Sequence, residues 1–461
     1  YPSTDIFGSE YGIEFPGRRI FDDVNYPDYT IESLYLLNIK PMPTITSDEF
    51  EIMIDRQQFF SETISILIKE NISNDYMPDE NQIYNYTFHN TFSQITDIEI
   101  GKEDESHIRV CAYNVYHNLL DPNNEQELAR VIKAIDADIY CFSECSEVSE
   151  SEMLNYFDSF INTDDWYAFK HSDLVTVSKY PFIETYDVTS KISAALIDLP
   201  NEEYDADFLA FCAHTPCCNN DAGRQYHFDA FISFLLDIQV PGGVGEVPIY
   251  TPFTFSGDMN LVGLSEQYET ILNGTISDVA QFGEGGMPDW DGTPIADAIC
   301  RLTERNSAHT WRTRYPDPGD YPPGRLDFNF YSNSVLSVSK SFTLCTEEMS
   351  EENLQPNNLQ ADDTFIGSDH LPVVTDFVLT GMSSSEIGCT YSSASNFSPD
   401  ALVDDGSCIF ECDYDIGYAD GLADGIQECD GELCLADLNY DDLVSTQDLL
   451  ILLSQFGVIC E

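Results

Sequence analysis

The chain has 461 residues, with 82 Asp or Glu against 19 Lys or Arg and a formal net charge of −63. That balance argues against duplex DNA as a partner, because DNA binding needs a basic footprint. A hydrophobic fraction of 43%, with 29 Phe and 26 Tyr, rules out a disordered acidic chain and leaves material for two or three domains.

Residues 1–105 contain short apolar runs, at 33–39, 50–54, 63–68 and 82–88, punctuated by Pro41, Pro43, Asn71, Asn74 and Pro78. They read as a small β-rich domain, with a helix over Asp48 to Lys69 as the competitor, since short apolar runs fit either. This segment carries no catalytic motif and is expected to serve interaction or assembly. Residues 106–380 alternate strand-like and helix-like segments. Apolar residues at helical spacing (Leu128, Val131, Ile132, Ile135) predict a helix over Glu125 to Ile135, and a second is expected over Tyr226 to Leu236. No apolar run approaches the roughly 18 residues a membrane span requires.

Strand-like runs lead into a series of polar residues. Asn114 follows His107 to Tyr113, Glu144 follows Ala137 to Ser143, and His214 ends Phe208 to Ala213. Then come Gly257-Asp258-Met259-Asn260, Asp327 in Arg-Leu-Asp-Phe, and Ser368-Asp369-His370. Alone, Asp369-His370 and Gly257-Asp258-Met259-Asn260 each read as a turn. Together they supply oxygen ligands for a hard divalent ion, a base, a charge stabiliser and a proton donor, the set that phosphoester hydrolysis requires. Arg301, Arg305, Arg312, Arg314 and Arg325 cluster before Asp327 and are candidates for phosphate oxygens.

This order of residues resembles the endonuclease/exonuclease/phosphatase superfamily, which includes deoxyribonuclease I, apurinic endonucleases, neutral sphingomyelinases and inositol-polyphosphate phosphatases. The match runs roughly from His107 to Leu379. Asp173-Leu-Val-Thr-Val-Ser-Lys-Tyr-Pro is similar to the family's "ILSRYP" strand, and Gly324-Arg-Leu-Asp-Phe-Asn-Phe-Tyr-Ser to its "RIDYIFVS" strand. The resemblance implies a four-layer α/β sandwich. It implies that Asn114, Glu144 and Asp369 hold Mg²⁺ or Mn²⁺, with Glu144 the main ligand. It makes Asp258 the aligner or base for water, Asn260 the donor to the phosphorane, and His214 and His370 (oriented by Asp327) the proton-transfer and charge-stabilising groups. Three departures stand out: Ser143 where most members have Gln, Tyr116 where apurinic endonucleases carry a second acid, and Thr215-Pro216-Cys217-Cys218 after the histidine. The adjacent cysteines pair either with separate partners or with each other.

Residues 381–461 form an acidic tail holding six of the 14 cysteines. Gly388-Cys389-Thr-Tyr with Asp404-Asp-Gly-Ser-Cys408 resembles a disulfide-closed repeat of proteins secreted by marine bacteria, which implies a Cys389–Cys408 bridge. Asp437, Asn439, Asp441, the Leu443 carbonyl and Asp448 stand at calcium-loop positions and resemble a dockerin loop, although Asp442 replaces its usual Gly. A second loop from Asp413 lacks a side-chain ligand at Gly417. Cys434 and Cys460 bracket the loop and are expected to pair, leaving Cys412 with Cys429. Cysteine density, sequons at Asn71, Asn85, Asn273 and Asn396, and a start at Tyr1 as in a processed protein point to an extracellular, secreted setting. The expected function is a secreted metal-dependent phosphoesterase. The alternative is a structural or adhesive protein that keeps the fold and self-assembles into an oligomer or filament through its N-terminal domain and tail.

Overall fold

The apolar runs before the polar motifs become the inner strands of two sheets in the computed structural model. It describes residues 95–380 apart from 163–164, 241, 246 and 313–322, with short stretches between 11 and 88 and a few residues between 391 and 409. The chain divides into two compact units, Tyr1–Gly381 and Met382–Glu461.

One six-stranded sheet runs in the order Tyr167–His171, Leu174–Ser178, Ile139–Ser143, Ile108–Asn114, Val373–Leu379, Leu336–Thr343. The other runs Phe182–Thr189, Ile192–Ile197, Phe208–His214, Phe253–Asp258, Asp327–Tyr331, Ala296–Asp297. Each contains one central parallel pair, Ile108–Asn114 with Ile139–Ser143 and Phe208–His214 with Phe253–Asp258. A parallel pair needs a crossover, and helices Glu125–Ile135 and Asp221–Ile238 occupy those connections.

Side chains of Ile108–Asn114 alternate between two cores, as strand geometry requires. Cys111 and Tyr113 face helix Glu125–Ile135, which buries Leu128, Val131, Ile132 and Ile135 against them. Ile108 and Val110 face the other sheet and pack with Ala195, Ile197, Phe208 and Ala210. On the far side, Phe228, Phe231, Ile232 and Leu235 of helix Asp221–Ile238 cover Phe211, Phe253 and Phe255. The layers are therefore helix, sheet, sheet, helix, the α/β sandwich expected from the sequence. Strands covered on both faces read as continuous apolar runs.

Described residues of the N-terminal region form two-stranded antiparallel ribbons, including Lys40–Met42 with Glu51–Met53 and Thr63–Ile66 with Tyr84–Thr87. The helix weighed for Asp48 to Lys69 gives way to strand at Glu51–Met53, Thr63–Ile66 and Ile68–Lys69, where β-branched Ile and Thr recur. This region touches the core beside the polar motifs: the Thr44 hydroxyl is 2.6 Å from the Leu261 carbonyl oxygen and 3.0 Å from that of Arg325.

Cysteine usage in the core differs from a disulfide framework. Cys111, Cys141, Cys145, Cys212, Cys300 and Cys345 are buried and free, while Cys217 and Cys218 bond to each other. Burial pushes the Cys145 thiol up to about 12 and that of Cys300 to about 11, and buried thiols of this kind pack as small apolar groups. The expected tail bridges and the calcium loop Asp437, Asn439, Asp441, Leu443 and Asp448 lie outside the described residues. Among the described residues no helix is long and apolar enough to cross a membrane.

Candidate active site

Strand register brings the motif residues to one end of the sandwich. Ser143 is level with Asn114 in the parallel pair, which sets Glu144 beside Asn114. His214 is level with Asp258, and Asp258 with Asp327, so three polar residues lie side by side across three strands. His370 enters just before Val373–Leu379, whose Val373 pairs with Ala112. The close pairing depends on Gly257, at φ +140°, where a Cβ would lie 2.1 Å from the Ala213 carbonyl oxygen.

Glu144 and Asn260 take left-handed backbone, with φ of +58° and +47°. Such positions are uncommon for side-chain-bearing residues and gather at functional sites. Asn114 donates its amide to both Glu144 Oε1 and Asp258 Oδ2, each at 3.1 Å. The Asn260 backbone N–H donates to Asp258 Oδ1 (3.0 Å), and its side-chain amide donates to the Thr215 carbonyl (3.0 Å).

Two histidine–carboxylate pairs face the same aspartate. His370 Nδ1 lies 2.8 Å from Asp327 Oδ2, and its Nε2 is 3.7 Å from Asp258 Oδ2. His214 Nδ1 lies 2.5 Å from Asp173 Oδ2, with its Nε2 3.6 Å from Asp258 Oδ2. Burial opposes charge on His370, but Asp327 and Asp258 outweigh it and push its pKa up to about 10. For His214, burial is likewise outweighed by the hydrogen bond to Asp173 and by Asp258, so its pKa is raised. Burial would raise Asp173, but His214 and Lys191 hold it well below the usual carboxylate range.

The sequence reading had named the Asp173 strand without giving that carboxylate a role. It likewise gave no role to Thr310, whose hydroxyl donates to Asp327 Oδ2 (2.7 Å), or to Trp311, whose indole donates to Asp369 Oδ2 (3.0 Å). Nothing local marks them, because their partners lie 17 to 58 residues away.

Direct contacts therefore join Asn114, Glu144, His214, Asp258, Asn260, Asp327 and His370 into one cluster. Asp369 adjoins it in sequence. The donor set suits a hard divalent ion: Glu144 and Asp369 offer carboxylate oxygens, Asn114 offers the second lone pair of an amide oxygen that already accepts the Tyr116 N–H, and among the described residues Asp369 Oδ1 and Asp327 Oδ1 are buried without hydrogen-bond partners. Asp258, Asp327 and His370 also have one ligand-type atom each within 4.8 Å of one another. There, however, the Asp327–His370 hydrogen bond makes a proton-handling pair.

The candidate phosphate arginines are engaged elsewhere. Arg305 pairs with Glu348, Arg312 with Glu347 and Arg325 with Asp297, while Arg301 donates to backbone carbonyls. In so acidic a chain the few guanidiniums go to nearby carboxylates, and Arg314 lies outside the described residues.

No protein-family model matches the sequence, and no curated protein matches it. Solved structures similar to it include the human Nocturnin catalytic domain with bound sulfate, at 15% identity and TM-score 0.38, covering 62% of this chain and 96% of that one. An endonuclease/exonuclease/phosphatase family protein from Leptotrichia buccalis is 13% identical at TM-score 0.38, covering 59% of this chain and 100% of that one. Truncated Caenorhabditis elegans TDP2 is 15% identical at TM-score 0.39, covering 59% and 97%.

Proposed function

We propose that the chain is a metal-dependent phosphoesterase acting on phosphate mono- or diesters. The observation that carries this reading is the convergence of His214 and His370 on Asp258 Oδ2, at 3.6 and 3.7 Å, each ring anchored through Nδ1 by its own carboxylate. A structural ion pair needs one histidine per carboxylate. Two oriented rings around a third, buried carboxylate make a centre for moving protons around a charged group.

Asp258 is placed to align and deprotonate a water. Asp327 fixes the tautomer of His370 and favours its charged form, so Nε2 can give a proton to a leaving oxygen. His214, held by Asp173, offers a second imidazolium to the developing phosphoryl charge. Asn260 has one amide hydrogen on Thr215 and its other for a phosphoryl oxygen. Glu144 and Asn114, with Asp369, would hold a Mg²⁺ or Mn²⁺ ion, whose chemistry is to polarise the phosphoryl group.

The test is hydrolysis of p-nitrophenyl phosphate and bis(p-nitrophenyl) phosphate with Mg²⁺ or Mn²⁺. His370→Ala and Asp258→Ala should each lower the rate at least about a hundredfold, the scale of a lost acid–base group. Wild-type turnover in both variants would refute the reading.

The setting we propose is extracellular, on the net charge of −63 and the cysteine-rich tail. The calcium loop and its tail disulfides belong to the same proposal. A second reading, self-association, is favoured by the ribbon Thr63–Ile66 with Tyr84–Thr87, where Ile66, Tyr84 and Tyr86 are exposed.

A further inference from the structure

His117 is one of eight histidines and has no part in the proposed proton transfers. It follows Asn114 by three residues, on a turn where Tyr116 and His117 both take left-handed backbone, at φ +48° and +57°. The Asn114 side-chain oxygen fixes that turn by accepting the Tyr116 backbone N–H at 3.0 Å. Two consecutive non-glycine residues in this region carry a conformational cost, so the local fold holds them there for a reason outside the turn.

The turn brings the imidazole to Glu144. His117 Nε2 lies 3.4 Å from Glu144 Oε2, on the opposite carboxylate oxygen from the one that takes the Asn114 amide. That separation is long for a charge-assisted hydrogen bond, which runs to about 2.9 Å. It matches two ligands of one ion: atoms roughly 2.0–2.2 Å from a metal, at tetrahedral to octahedral angles, stand about 3.0–3.5 Å apart. His214 Nε2 is farther from the same carboxylate, at 4.0 Å, and its other nitrogen is committed to Asp173. The His117 side chain is 55% exposed, so it flanks Glu144 from the solvent side.

We propose that His117 is a ligand of the ion held by Glu144, so that the site selects a divalent transition metal such as Mn²⁺ over Mg²⁺. Mg²⁺ keeps to oxygen ligands and waters; imidazole suits Fe²⁺ and later first-row ions best, and Mn²⁺, the weakest of that series, still takes a nitrogen ligand more readily than Mg²⁺ does. Tyr116 supplies no acid here, and the His117 imidazole one residue on would be the added ligand. The inference rests on the metal-dependent reading and specifies its cofactor.

Binding of Mn²⁺ and Mg²⁺ to the full chain, by calorimetry and by Mn²⁺ electron spin-echo spectroscopy, is the test. His117→Gly removes the ring at a position whose backbone glycine adopts freely. The expected results are Mn²⁺ binding weakened about tenfold or more, the scale of a lost metal-site group, Mg²⁺ binding unchanged, and the ¹⁴N coupling gone. A nitrogen coupling that survives in His117→Gly belongs to another imidazole and overturns the proposal, as do equal losses for both ions. In those cases loss of Mn²⁺ binding in Glu144→Ala leaves the phosphoesterase reading intact. If wild type and Glu144→Ala bind Mn²⁺ alike, the site does not hold the ion and both readings fall.

Discussion

Asp173 shows how much a single residue outside the motif list contributes. It binds His214 at 2.5 Å and also takes the Lys191 ammonium at 3.1 and 3.2 Å. Its carboxylate therefore holds the imidazole in one tautomer and one orientation. Asp173→Asn keeps the shape and loses the charge. Turnover should fall about 10- to 100-fold, the scale for a group that orients an active-site ligand or base, with KM nearly unchanged. If melting temperature falls while kcat holds, Asp173 is a structural ion-pair partner instead. The left-handed backbone at Glu144 and Asn260 is the other residue-scale feature. Two side chains are held at the ends of strands by backbone that most residues avoid, which aims them along the end of the sheet.

At the scale of elements, the site is a consequence of register. Asp258 is level with His214 on one side and Asp327 on the other, and slipping one strand by a residue would turn that side chain to the opposite face. In the first sheet, Arg109 and Asp376 are paired across neighbouring strands and linked by two hydrogen bonds, at 2.6 and 2.8 Å, both side chains buried. Arg109 Nη1 also donates to the Ile135 carbonyl at 2.7 Å, satisfying the end of helix Glu125–Ile135. Arg109→Leu would strand the Asp376 charge and should lower unfolding free energy by about 3–5 kcal/mol, measured by urea denaturation. Arg109→Leu with Asp376→Leu should recover most of that loss, because no unpaired buried charge remains. A double variant as unstable as the single one would show that the pair itself, with its helix contact, is what stabilises the sheet.

For the whole molecule, a net charge of −63 sets the terms of any association. Like-charged copies repel, and salt or calcium weakens that repulsion. Backbone pairing at the exposed Thr63–Ile66 and Tyr84–Thr87 ribbon needs no charge complementarity, so it is the contact such copies can make. Sedimentation of the full chain should show a larger species with calcium and its reversal on chelation. A monomer under both conditions would remove self-association as a reading.

The sequence by itself determined the strands, the crossover helix and the polar residues at strand ends. Helix Glu125–Ile135 was legible from Leu128, Val131, Ile132 and Ile135, because helical periodicity is a local property of the chain. Asn114, Glu144, His214, Asp258 and Asn260 were legible because each ends or follows an apolar run, and Asp327, Asp369 and His370 because each begins or precedes one. Partner choice was not legible. Asp173 meets His214 across 41 residues, Arg312 pairs with Glu347 across 35, and His117 reaches Glu144 through a left-handed turn. Burial of six core thiols was also invisible, since a cysteine count carries no depth. These features depend on distances between segments far apart in the chain, which strand register and layer packing fix and local pattern does not.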